Sequence, residues 1–285
     1  MYESMKGMLA KANSEGYAVM AINAFNLETA RGVISAAEEM GAPIIIDLLQ
    51  DHVKAYFDCD ILTRPIIKMA QASRVPVAIN LDHGHDIAHL KRCLHEGFSS
   101  VMCDASAYDH EVNARITRSI VELAQTYGAS VEAEIGSFGR SEGGDVHLTE
   151  DAMYTDPDVA IEFIRKTGVD CLAISYGSTH GDYPEGFVPT FHFDIVEKIK
   201  SATGAALVLH GGSGAGDENM RASVRAGINK INVGTDYMTA QRAFVADALA
   251  SDPDYDWPQL VQDSWAAGAE VLKHYIELSG SAGKA

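Results

Sequence analysis

Apolar residues fall along this chain in short blocks, and between successive blocks they recur at helical spacing. The blocks predict eight strands, over residues 18–23, 43–47, 77–81, 99–104, 130–134, 170–175, 205–209 and 230–233. Such runs, bounded by turn residues, read as strands buried on both faces. The intervening spacing predicts helices over 29–40, 61–73, 86–96, 110–127, 193–201, 217–226, 236–250 and 257–278. One more opens at Asp156-Pro157, an N-cap followed by a first-turn proline, and stops at Gly168. Gly41, Gly97, Gly128 and Gly227 stop others. A glycine- and acid-rich loop runs from the fifth strand to Asp156, and a polar loop follows the sixth strand through Pro189. Eight strands alternating with helices predict an α/β fold, a (β/α)8 TIM barrel with an additional C-terminal helix, as one domain over residues 1–285. The competing α/β fold is a doubly wound open sheet, but residues 21–25 carry no GxGxxG turn.

Charge narrows the function classes. The formal net charge of −18 argues against nucleic acid, whose phosphates attract Lys and Arg, and against a basic membrane-binding surface. An anionic small substrate stays compatible, because local groups set the field inside a cleft. Cys59, Cys93, Cys103 and Cys171 are scattered without a CxxC, which reads as reduced thiols in a cytoplasmic protein, with Cys103 and Cys171 in buried strands. Residues 1–10 lack the apolar core of a signal peptide, and no apolar run reaches the ~20 residues of a membrane helix.

A barrel gathers its chemistry at the carboxyl ends of its strands. Asn23 ends the first predicted strand, Asp82 and His83 the third, Asp104 the fourth, Glu134 the fifth and His210 the seventh. His180 lies just beyond the sixth, and Asn232 near the end of the eighth. The densest stretch is Leu81-Asp82-His83-Gly84-His85-Asp86, where an apolar strand gives way to acid, imidazole and glycine. Its plainer reading is a strand-to-helix turn with Asp86 capping the next helix. His83, His180 and His210 can converge on one metal and leave a coordination position open, the pattern of a catalytic zinc. His85 is the closest rival ligand, whereas His89, His95, His110, His192 and His274 fall on predicted helices. Asp104 and Glu134 either orient the ligands, hold a second metal position, or cap helices and loops. His210-Gly211-Gly212-Ser213-Gly214 and Asn232-Val233-Gly234-Thr235 supply small residues and backbone donors after strands seven and eight, where barrels commonly bind phosphate.

The sequence resembles the class II, zinc-dependent ketose-bisphosphate aldolases of the fructose- and tagatose-bisphosphate type. The matching pieces, in family order, are Leu81-Asp82-His83, Val131-Glu132-Ala133-Glu134-Ile135-Gly136, Thr179-His180-Gly181, His210-Gly211-Gly212-Ser213-Gly214 and Lys230-Ile231-Asn232-Val233-Gly234-Thr235. Gly280-Ser281-Ala282 is similar to the tagatose branch. The resemblance implies reversible cleavage of a phosphorylated ketose into dihydroxyacetone phosphate and an aldehyde through a zinc-stabilised enediolate. It implies zinc on His83, His180 and His210, with Asp104 and Glu134 at acidic positions around an alternate metal site. Asp82 would move the proton of the C4 hydroxyl, and Glu142 the proton at C3 of the dihydroxyacetone unit. Gly181, Gly211, Ser213 and Thr235 would cradle the ketone phosphate, Asn232 would contact the enediolate region, and Asn23 joins this substrate-binding group on the rim. A monovalent cation, Na+ or K+, sits beside the cradle in some members. A homodimer or homotetramer is implied, with a small phosphorylated sugar as substrate and neither nucleic acid nor membrane as partner.

The sequence departs from the family pattern around the substrate. Leu49 stands where many members place a serine for the distal phosphate, and Gln262 where an arginine completes that site. The lysine shortly after the second zinc histidine is absent from His180-Gly181-Asp182-Tyr183-Pro184-Glu185, and Arg140 belongs to an altered loop before Glu142. These changes predict an aldehyde half other than glyceraldehyde phosphate, unless Arg140 has taken over charge recognition. Two alternatives remain beside the aldolase: a zinc-dependent epimerase or isomerase on a sugar phosphate, and a non-catalytic zinc-binding barrel. Asp82 and Glu142 argue against the last, since binding metal requires neither.

Overall fold

A computed structural model describes residues 1–56, 58–136, 154–179, 181 and 187–285. The apolar blocks become eight parallel strands, rich in Val, Ile, Leu and Ala because both faces are covered. They are β1 (Val19–Asn23), β2 (Ile44–Leu49), β3 (Val77–Gly84), β4 (Ser100–Cys103), β5 (Ser130–Ile135), β6 (Cys171–Ile174), β7 (Ala206–Leu209) and β8 (Ile228–Val233). Each pairs with the next in sequence, and β8 returns to β1 through Ala21↔Asn232, closing a TIM barrel.

The helices among the described residues are α1 (Met5–Glu15), α2 (Leu27–Met40), α3 (Gln50–Tyr56), α4 (Cys59–Ala72), α5 (Ile87–Glu96), α6 (His110–Tyr127), α7 (Pro157–Thr167), α8 (Phe193–Thr203), α9 (Asp217–Ala226), α10 (Thr235–Ser251) and α11 (Trp257–Leu278). The stop glycines expected from sequence are the C-caps of α2, α5, α6, α7 and α9. Asp86 caps α5 by accepting from the Ala88 and His89 amides, and Asp156 caps α7. None of these helices is long and apolar enough to cross a membrane.

The sequence pattern did not anticipate α1 or α3. Met5, Met8, Leu9 and Ala12 of α1 pack with Val19, Ala21, Ile45 and Val208 across the amino-terminal end of the barrel. A second, larger core lies between the outer strand faces and the surrounding helices. Above the apolar floor, the barrel interior turns polar. Asp47, Asn80, Glu132 and Lys230 are all completely buried there. The interior therefore rises from an apolar plug, through a charged layer, to the rim where the predicted chemistry lies.

Candidate active site

Strand β3 runs three residues beyond its predicted end and carries Asp82 and His83 within it. Its register with β4 shifts between Leu81 and Gly84. His83 lies inside that shift at φ 48, the one non-glycine residue with positive φ among those described. Such backbone is strained for a side chain-bearing residue and concentrates where function over-determines the conformation. Gly84 permits the irregularity by close approach, since a Cβ there would stand 2.5 Å from the Met102 carbonyl oxygen and 2.9 Å from Leu81 Cδ2. Gly84→Ala is therefore expected to lower the unfolding free energy by about 1–3 kcal/mol. A lower urea midpoint at unchanged slope checks it, and an unchanged midpoint contradicts it.

The barrel closure brings His83 and His210 together from 127 positions apart in sequence, with His83 Nε2 3.3 Å from His210 Nδ1. The outer nitrogen of each ring is tied to a carboxylate: His83 Nδ1 lies 2.9 Å from Asp104 Oδ2, and His210 Nε2 2.8 Å from Glu132 Oε1. The two inner nitrogens thus face each other, and carboxylates behind the rings fix their orientation. Asp82 joins them, with donor atoms of Asp82, His83 and His210 all within 4.8 Å. Asn23 Nδ2 donates to Asp82 Oδ2 at 2.9 Å, and Asn232 Nδ2 lies 3.5 Å from Asp82 Oδ1.

A second group, His83, Asp104 and Glu134, also has its donor atoms within 4.8 Å. Glu134 Oε2 is buried without a hydrogen-bond partner, 3.8 Å from His83 Nδ1. Both groups have the donor chemistry of a zinc site, nitrogen and oxygen, and the second also holds the orphaned Glu134 oxygen. The two groups share His83, however, and a neutral imidazole has one lone pair to give.

The charges are strongly interdependent. Burial pushes the Asp82 carboxyl up, but His83, His210, Lys230 and the Asn23 hydrogen bond outweigh it and hold it below the ordinary carboxylate range. Burial pushes the His83 imidazole down, while Asp82, the Asp104 hydrogen bond and Glu134 overcome this and carry its pKa to about 10. His210 is lowered, chiefly by burial. Glu134 is pushed up to about 8 by burial and by the neighbouring Asp104.

These groups open into a cleft of about 280 Å³ that Leu49, His52, Gly181, Ser213, Thr235 and Met238 also line. Gly211, Gly234 and Asn232 belong to the same wall. Gly234 precedes α10, and a side chain there would collide with Asn23 Oδ1. Gly234 brings no capping side chain to α10, and the Asp236 amide of its first turn donates instead to Ser213 Oγ at 3.2 Å, so the Thr235 N–H and the Ser213 and Thr235 hydroxyls form a donor-rich end to the cleft.

The structure thus gathers Asn23, Asp82, His83, Gly181, His210, Gly211, Ser213, Asn232 and Thr235 along one cleft, with Asp104 and Glu134 behind His83. His180, Glu142 and Arg140 lie outside the described residues. His85 turns away, its Nε2 2.8 Å from Gln50 Nε2. Gln262 is exposed on α11 and does not line the cleft, so of the two departures expected at this end Leu49 alone borders it. Sequence reasoning gave no role to Glu132, Lys230 or Asp47. Lys230 Nζ stands 2.7 Å from Glu132 Oε2 and 3.5 Å from Asp47 Oδ2, all with no side-chain exposure. The available signal was a charge inside an apolar strand: Asp47 in β2, Glu132 two positions before Glu134 in β5, and Lys230 in β8.

Comparison with known proteins agrees with this geometry. The family model for fructose-bisphosphate aldolase class-II matches residues 3–284. The chain is 36% identical over 303 residues to a fructose-bisphosphate aldolase of Thermus caldophilus, covering 98% of each. It is 37% identical to one of Geobacillus stearothermophilus, covering 99% of this chain and 98% of the relative. The crystal structure of the YdjI aldolase from Escherichia coli K12 superposes with a TM-score of 0.88 at 33% identity, over 100% of both chains. With its family match running from residue 3 to residue 284 and a closed barrel presenting acid and imidazole on one rim, the chain belongs to the class II fructose-bisphosphate aldolase family and is an aldolase, a carbon–carbon lyase.

Proposed function

We propose that the protein reversibly cleaves a phosphorylated ketose into dihydroxyacetone phosphate and an aldehyde, with zinc held by His83, His180 and His210. The observation that carries this reading is an ionised Asp82 lining the cleft, beside two imidazoles whose inner nitrogens face each other. The chemistry supplied by bound zinc is Lewis-acid stabilisation of the charge that cleavage beside a ketone leaves. Asp82 takes the C4 hydroxyl proton in cleavage and returns it to the aldehyde oxygen in condensation. Asn23 holds one Asp82 oxygen at 2.9 Å and so aims the other. Glu142 moves the proton at C3. Asp104 holds the His83 ring by Nδ1, a role that leaves Nε2 for metal. Gly181, Gly211, Ser213 and Thr235 receive the ketone phosphate, and Asn232 contacts the carbon skeleton beside it.

Leu49, with His52 and Met238 in the same cleft, presents apolar surface and an imidazole to the aldehyde half. An unpaired phosphate dianion against Leu49 would be poorly bound. The aldehyde is therefore proposed to be neutral, shorter or differently charged than glyceraldehyde phosphate. A zinc-loaded cleavage screen against fructose 1,6-bisphosphate, tagatose 1,6-bisphosphate and several ketose 1-phosphates, with chelated protein as control, tests both parts. Cleavage of ketose 1-phosphates in preference supports both. A preference for either bisphosphate keeps the aldolase and overturns the altered pocket. No release of triose phosphate from any of them overturns the reaction.

Metal binding here competes with a proton. His83, with its pKa near 10, must lose a proton to become a ligand, whereas His210 is lowered and already neutral. Apparent zinc affinity of the rim is expected to rise about 10-fold per pH unit between about pH 7 and 9. Competition with a chelator of known proton affinity measures it, and a flat profile contradicts it.

A further inference from the structure

Away from the cleft, three side chains suited to a soft metal meet between α4 and α5. Cys59 is the first residue of α4. His89 and Cys93, four positions apart, share one face of α5. One nitrogen of His89 and the two sulfurs all lie within 4.8 Å of one another. Both cysteines are completely buried and free. His89 Nε2 is buried and has no hydrogen-bond partner. Buried polar atoms are normally satisfied, so an orphaned imidazole nitrogen in a group with two thiols points to something that binds to it.

The surroundings favour a cation held by thiolates. The start of α4 stabilises negative charge on Cys59. The nearby basic groups are already engaged, Arg92 with Asp58 and Asp60, and Lys54 with Asp86. Two buried thiolates therefore need another positive charge to persist. Zn–S bonds of about 2.3 Å and Zn–N bonds of about 2.0–2.1 Å place tetrahedral ligand atoms roughly 3.5–3.8 Å apart. A spread of at most 4.8 Å closes to that with small side-chain shifts.

We propose that Cys59, His89 and Cys93 form a second metal site, for zinc or an ion of the same borderline-soft class, that ties the start of α4 to α5. Binding displaces the two thiol protons to solvent, and a water fills the fourth position. This site is independent of the zinc proposed at the rim, whose ligands include no sulfur.

Cobalt substitution under a thiol reductant tests it on the whole chain. Cobalt on the rim gives only weak visible bands, whereas cobalt on cysteine adds an intense thiolate-to-metal charge-transfer band in the near ultraviolet. The expected result is that band in the wild-type protein, its loss in Cys93→Ser, and its retention in His83→Ala. Bound cobalt should fall from about two ions per chain to about one in Cys93→Ser. Because a core serine can disturb folding, zinc protection of thiols against alkylation gives a second reading on the unmodified chain. Zinc should protect two of the four cysteines by at least about 10-fold in rate, and His89→Gln should remove that protection. Absence of the charge-transfer band at saturating cobalt, or alkylation unaffected by zinc, overturns the proposal.

Discussion

Replacing Asp82 with asparagine is expected to lower kcat for ketose cleavage about 100- to 10,000-fold, with KM and bound zinc close to those of the parent. Asparagine keeps the size of the side chain but cannot take a proton at neutral pH. The parent carboxyl does so because His83, His210 and Lys230 keep it ionised against its burial. The amide can present its oxygen to Asn23 Nδ2, a donor now 2.9 Å from Asp82 Oδ2, and gives up only the longer contact of Asp82 Oδ1 with Asn232 Nδ2 at 3.5 Å. Geometry therefore survives better than charge. The roles proposed for Asp82 and Glu142 give a sharper readout than rate alone. Asp82 handles the hydroxyl proton, so the variant should still exchange the C3 proton of dihydroxyacetone phosphate with solvent. Loss of that exchange along with cleavage would mean that Asp82 holds the metal or the ketone half instead. A loss of cleavage under about 10-fold would remove Asp82 from proton transfer altogether.

The barrel and its rim were legible because each is a sum of local signals. Every strand announced itself as an apolar block, and Asn23, Asp82, His83, Asp104, Glu134 and His210 sat where a block ended, so closure gathered them. Helix α1 carried a signal of its own, apolar residues at 5, 8, 9 and 12, one face of a helix. It lies before the first strand, outside the alternation that organised the rest, and its role as floor of the barrel is a tertiary fact. The division of labour between ring nitrogens was not legible. It depends on Asp104 and Glu132 reaching His83 and His210 from behind, through contacts made only when β3, β4, β5 and β7 curve round one axis. Lys230 was the hardest to read. A lysine normally keeps its charge in water, and this one meets Asp47 across 183 positions of sequence. Local propensity has no access to a partner that distant.

Lys230→Met should therefore be among the most destabilising single changes in the chain, costing about 3–5 kcal/mol of unfolding free energy. The lysine is the cation that buried Asp47 and Glu132 share, and it also donates to Asn232 Oδ1 at 2.8 Å. Methionine fills similar space but leaves two carboxyls in a medium that penalises charge. Asp47 is already pushed up to about 7 by burial, so it takes a proton readily. Glu132 is the costly one. Burial raises it, and Lys230 with His210 holds it below the ordinary range. Without Lys230 it shifts toward the protonated acid, and a protonated Glu132 is a weaker acceptor for His210 Nε2. The same substitution should therefore loosen the His210 ring and weaken retention of the zinc proposed at the rim about 10- to 100-fold. Pairing the change with Glu132→Gln removes the stranded charge, so the double variant should lose less stability than the sum of the two single variants. Strict additivity in urea unfolding, or a Lys230→Met loss below about 1 kcal/mol, would show that the buried charges are satisfied by other means. With coupling present, the polar layer does two things at once: it holds the barrel together below the rim and sets the angle of the imidazole above it.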